Sequence, residues 1–148
     1  MKKILILITA LFTFGCATTS VVGNSVTSET LMTSYDDAWA KVIRFFSTNQ
    51  VGIGTLEKES GIVTINGQNL AMDLMNEYCD AGPAIPFLYR PIGGTANGSV
   101  TLVDDGGFVT ANVNVSFSIV SVYGQVSVVN RCTSTGKFED SILETLRS

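Results

Sequence analysis

The chain has 148 residues, 45% of them hydrophobic, with nine basic against thirteen acidic side chains, no histidine and a net charge of −4. That length suits one domain around a single core, and an acidic chain without a basic cluster argues against nucleic acid, whose phosphates must be neutralised by lysine and arginine. The lack of histidine removes the commonest general base, which weighs against an enzyme.

Lys2 and Lys3 precede an apolar run from Ile4 to Phe14, and Gly15-Cys16 closes it. A positive start followed by a run too short to span a bilayer, which takes about 20 apolar residues, is the pattern of a secretion signal. A small residue directly before a cysteine at the end of such a run resembles the lipobox of bacterial lipoproteins, with Thr13 where leucine is usual. The resemblance implies a lipoprotein signal peptide over residues 1–15 and acylation of Cys16, palmitate included. Two or three acyl chains would make permanent an attachment that one chain leaves marginal. Ala17 stands where an aspartate would imply inner-membrane retention, so the expected address is the periplasmic side of the outer membrane. Without Lys2 and Lys3, seven bases face thirteen acids and the charge is −6, which argues against electrostatic docking on anionic lipid.

Residues 16–33, rich in serine and threonine, read as a flexible tether, and residues 34–148 as a single domain. Ser34 and Asp37 have capping-box spacing, and Tyr35, Trp39, Val42, Ile43 and Phe46 form one apolar stripe, which predicts a helix over 35–48. Short strands are expected around Val51–Thr55 and Ile62–Ile65, joined by the polar turn Glu57-Lys58-Glu59-Ser60-Gly61. Residues 67–98 read as an irregular insertion. It holds a short helix marked by Leu70, Leu74 and Tyr78, then Pro83, Pro86 and Pro91, then the glycine-rich stretch Gly93 to Gly98 as a loop.

Val100 and Leu102 lead to the turn Asp104-Asp105-Gly106-Gly107. Beyond it Val109, Ala111, Val113, Val115, Phe117 and Ile119 alternate with polar residues, the mark of a strand with one buried and one wet face. A shorter strand follows around Val126–Asn130. Phe138, Ile142, Leu143 and Leu146 then predict a closing helix, with Glu139 and Asp140 in its first turn. The expected fold is α+β: an antiparallel sheet of four to five strands with two helices on one face, in the order α-β-β-(short α/loop insertion)-β-β-(β)-α.

Cys79 and Cys132 remain as an even pair in an oxidising compartment, which predicts a structural disulfide. Two isolated cysteines without histidine do not make a zinc site, and no Cys-x-x-Cys is present. Asp36-Asp37 and Asp104-Asp105 are explained by a helix start and a turn, no Gly-x-Ser-x-Gly elbow exists, and Asp73, Glu77 and Asp80 lack EF-hand spacing. The expectation is a protein without catalysis, cofactor or metal. Phe87, Tyr89 and Arg90 lie together on the proline-stiffened stretch, and aromatic plus arginine is the composition of binding hot spots. The favoured reading of the same stretch is that Ile85, Phe87 and Leu88 fold back to cover the sheet, tied down by Cys79.

The segments Ser34 to Ile43, Lys58 to Thr64 and Cys132 to Glu139 resemble a group of small bacterial lipoproteins with a domain similar to those of BamC, an accessory lipoprotein of the outer-membrane β-barrel assembly machinery. That resemblance implies a scaffold role without catalysis. The function expected is a structural, protein-interaction component of a cell-envelope assembly, with an envelope protein as partner. The alternative is a periplasmic binding module for a small apolar or cell-wall ligand, with the 83–92 loop as its lid.

Overall fold

The computed structural model describes residues 26–82 and 88–148. Among them the chain runs β1 (Val26–Leu31), α1 (Tyr35–Thr48), β2 (Ile53–Glu57), β3 (Ile62–Leu70), α2 (Met72–Tyr78), β4 (Cys79–Asp80), β5 (Arg90–Asp104), β6 (Val109–Tyr123), β7 (Val126–Ser134) and α3 (Lys137–Arg147). The strands form an antiparallel sheet in the order β2-β3-β5-β6-β7-β4, and β1 also pairs with β6. β6 is the axis. One of its edges takes β5 along nearly its whole length; the other takes β1 at Val109–Asn114 and β7 at Phe117–Tyr123.

This corrects the expected fold. The sheet has seven strands rather than four or five, and three helices rather than two accompany it. Three readings account for the difference. Residues 26–31, taken as part of the tether, are strand β1, laid against β6 in unbroken register from Val26↔Asn114 to Leu31↔Val109. Residues 90–98, taken as a loop, are the first half of β5. Cys79-Asp80 adds a two-residue strand beside β7.

Composition hid β5 for a physical reason. Gly94 is not a turn glycine: a Cβ there would run into the Ser118 carbonyl and lie 2.5 Å from the sulfur of Met75, so the missing side chain lets α2 approach the sheet. Pro91 is tolerated because β5 pairs with β3 only from Gly94 onward, leaving its other edge free at Pro91.

The alternation in β6 holds as read. Odd-numbered residues from Val109 to Ser121 are buried, while Asn112, Asn114, Ser116 and Ser118 line the half-exposed face. The helices cover the buried face. α3 places Phe138 6.1 Å from Phe117 of β6, and α1 places Phe45 6.0 Å from Phe138. Phe46 and Val42 beneath α1 are fully buried, contributing roughly 1.5–3 kcal/mol each.

Helix α1 spans the residues its stripe predicts, and the Ser34 hydroxyl accepts from the Asp37 amide at 3.2 Å to cap it. Two contacts tie the ends of the chain together. Lys41 donates to the Leu146 carbonyl at 3.3 Å, and the Arg147 guanidinium forms a two-pronged pair with Glu29 of β1.

Candidate functional site

Cys16 and Phe87 lie outside the described residues. The Cys79–Cys132 disulfide is present, with Cα atoms 5.6 Å apart, and joins β4 to β7. Around it the Thr135 amide donates to the Tyr78 carbonyl at 3.0 Å, and the Thr135 hydroxyl to the Glu77 carbonyl at 2.8 Å. The bond therefore closes a clamp that holds α2 against the start of α3.

Tyr89 and Arg90 lie at the far end of β5. The Tyr89 ring packs on Tyr123 with centroids 5.8 Å apart, and Arg90 stands opposite Val122. This end carries an apolar rim. Leu88, Ile92, Tyr123, Val126 and Val129 are each between 53% and 65% exposed. The β6–β7 hairpin puts Tyr123 opposite Val126 and Val120 opposite Val129, so apolar side chains emerge on both faces of the tip. Arg90 and Arg131 are exposed beside it, and neither is ion-paired among the described residues. Of this rim the sequence singled out only Tyr89 and Arg90. The signal for the rest was the Tyr123-Gly124-Gln125-Val126 turn, whose flanking strands keep apolar residues where a solvated hairpin tip would be polar.

The acidic pairs do structural work. Asp36 pairs with Lys58 at 2.7 Å; Asp37 pairs with Lys41 at 3.0 Å and accepts from the Thr33 hydroxyl at 2.9 Å. The Lys41 and Thr33 bonds hold the Asp37 carboxyl below the usual carboxylate range. Asp104 caps the Gly106 amide at 3.0 Å in the β5–β6 turn, and Asp105 accepts from the Thr110 hydroxyl at 2.9 Å. Glu77 faces Lys137 at 3.9 Å, and Asp80 accepts from the Gly82 amide at 2.8 Å. Among the described residues no group of three or more acidic or cysteine side chains could hold a metal ion.

A cavity of about 380 Å³ opens between the end of α1, β3, α2 and α3. Residues 83–87 of the expected lid lie outside the described residues, and Leu88 to Ile92 are not among those lining the cavity. At its rim α1 closes with the Val51 amide donating to the Phe46 carbonyl at 2.9 Å, which puts Gln50 in the left-handed region at φ 54°. Glycine is favoured at that position; a side chain there costs roughly 1–2 kcal/mol. Gln50 is the sole non-glycine residue with positive φ among the described residues.

The chain matches no protein-family model and no curated protein.

Proposed function

We propose that this protein is a lipid-anchored, periplasm-facing component of a cell-envelope assembly that acts through protein contacts and not by catalysis. The observation that carries the reading is the apolar rim at the far end of β5–β6–β7. It groups five large exposed apolar side chains with a tyrosine and two arginines on the rigid end of a sheet. Side chains of that kind are enriched at the centres of protein interfaces. The envelope-lipoprotein resemblance of residues 34–66 and 98–147 agrees with it.

Anchoring at Cys16 would give the rim a defined range. Because β1 begins at Val26, ten residues rather than the eighteen of a tether over 16–33 separate the lipid from the folded sheet. Ten extended residues reach roughly 35 Å. The domain would then stay within about its own diameter of the membrane, where only partners at or near the bilayer surface are accessible.

The test is purification of the tagged, full-length protein in mild detergent with identification of stoichiometric partners, in parallel with Tyr123→Ser/Val129→Ser. The reading predicts an envelope protein that the double variant loses while keeping its unfolding midpoint. A partner retained unchanged by that variant, or a clean monomer, contradicts it. In the same cells Cys16→Ser should move the protein from the membrane fraction to the soluble one, and persistence on membranes after a high-salt wash would contradict the anchor.

A further inference from the structure

The cavity between the three helices and β3 is unusual in a chain with 22 charged residues: among the described residues no aspartate, glutamate, lysine or arginine lines it. Its floor is apolar, made by Phe45, Ile65, Ala96 and Phe138. Its rim is neutral but polar, with amides from Asn49, Gln50 and Asn69 and hydroxyls from Tyr78 and Ser141. We propose that this cavity is a binding site for an uncharged sugar carrying an acetamido group.

Charge sets the first limit. A charged ligand entering here would lose hydration, and among the described residues no ionised side chain lines the cavity to offset that loss, so the site favours neutral molecules. Size sets the second: about 380 Å³ is near the low end for small-molecule pockets, enough for a mono- or disaccharide. Sugars present apolar C–H faces and a polar edge. An acetamido group adds a methyl and an amide, and the cavity offers an apolar floor with donors and acceptors around it.

The hydrogen-bond inventory of the rim leaves groups for such a ligand. Asn49 uses its amide nitrogen on the Phe45 carbonyl at 2.9 Å and keeps its oxygen as an acceptor. Ser141 donates to the Phe138 carbonyl at 2.7 Å and keeps its lone pairs. Gln68 is committed to the wall, accepting from the Gly52 amide at 2.7 Å. The side-chain amides of Gln50 and Asn69 and the Tyr78 hydroxyl make no hydrogen bond among the described residues. Burial, and then the neighbouring Glu77 carboxylate, push the Tyr78 phenol above its ordinary pKa, so at neutral pH its hydroxyl keeps its proton and can donate.

A second observation points to the same place. Gln50 occupies a left-handed position where glycine would relieve strain, and it stands on the cavity rim. Strained backbone retained at a cleft is a mark of a binding role. The far wall is fixed as well. Tyr78 packs its ring 5.4 Å from Phe138 and precedes Cys79, so the disulfide clamp holds the wall of the cavity in place. The proposal does not depend on the apolar rim, none of whose five exposed residues lines the cavity.

The test is calorimetric titration of the full chain, held in a detergent without a sugar headgroup. The probes are N-acetylglucosamine, its β-1,4-linked dimer and glucosamine, the last a cation on the same ring. The acetamido sugars should bind, and glucosamine should bind at least about tenfold more weakly, because its ammonium must shed water in a cavity that no charged described residue lines. Gln50→Gly and Asn69→Ala should each weaken acetamido-sugar binding by roughly tenfold. Gln50→Gly should at the same time raise the ligand-free melting temperature, a combination a purely structural glutamine would not give. No heat from either acetamido sugar overturns the proposal, as does equal binding of glucosamine or unchanged affinity in both variants.

Discussion

Removing the Cys79–Cys132 disulfide should cost this protein about 4 kcal/mol. The bond joins residues 53 apart in sequence. Closing a loop of that length removes about 14 cal/mol/K of entropy from the unfolded chain, or about 4 kcal/mol at 25 °C. The folded state should change little, because the β4–β7 pairing and the Thr135 contacts already hold the two cysteines together. The perturbation is Cys79→Ala/Cys132→Ala, compared with the oxidised wild type by urea unfolding at neutral pH. The midpoint should fall by the equivalent of about 4 kcal/mol, and the slope should rise because an uncrosslinked chain exposes more surface. A small domain has only about 5–15 kcal/mol in all, so the variant should fold but be marginal at elevated temperature. A loss below about 1 kcal/mol would refute the reasoning, since it would mean that the unfolded chain is not constrained by this bond.

Gly94→Ala should destabilise the fold by about 1–3 kcal/mol in thermal melts, because the added methyl meets the Ser118 carbonyl and the Met75 side chain; an unchanged midpoint would mean that α2 does not pack there. Ser121 is fully buried and its hydroxyl has no hydrogen-bond partner among the described residues, so Ser121→Ala should be neutral or stabilising by up to about 1 kcal/mol in chemical denaturation. The Glu29 carboxyl is held below its ordinary value of 4.5 chiefly by its hydrogen bond from Arg147. A depressed acid stabilises above its unfolded pKa and loses that contribution as pH falls through the folded one. The stability difference between wild type and Glu29→Gln should therefore be present at neutral pH, shrink once pH falls below about 4.5, and be gone in strong acid; a difference that stays constant with pH would contradict the pairing.

The parts of the fold legible in the sequence are those in which one pattern acts alone. The stripe from Tyr35 to Phe46 has no competing helix breaker and gives α1; Phe138, Ile142, Leu143 and Leu146 give α3 in the same way. Strict alternation gives β6. β1 was hidden because only Val26 and Leu31 of its residues are apolar; besides the buried Leu31 it is held by pairing along β6 and by Arg147. The first half of β5 was hidden because its glycines and proline are ordinary loop signals, whereas Gly94 admits α2, Gly98 lies against the Asn114 carbonyl of β6, and Pro91 sits on a free edge. The apolar rim was half legible: Tyr89 and Arg90 stand out by composition, but Tyr123 joins them only through β5–β6 pairing and Val129 only through β6–β7 pairing. The cavity was not legible at all, since its lining converges from four elements and from β5. A glutamine where α1 calls for glycine was its single local trace.

The proposed partner site is the end of the sheet where β5 begins and β6 turns into β7. The most direct measurement is in-cell photocrosslinking of the full-length protein with the crosslinker placed at Val126, at Val129, and at Phe108 in the opposite turn, which is also exposed. The expected result is one envelope protein captured from Val126 and Val129 and not from Phe108. Capture from Phe108 alone, or the same products from all three positions, would contradict it.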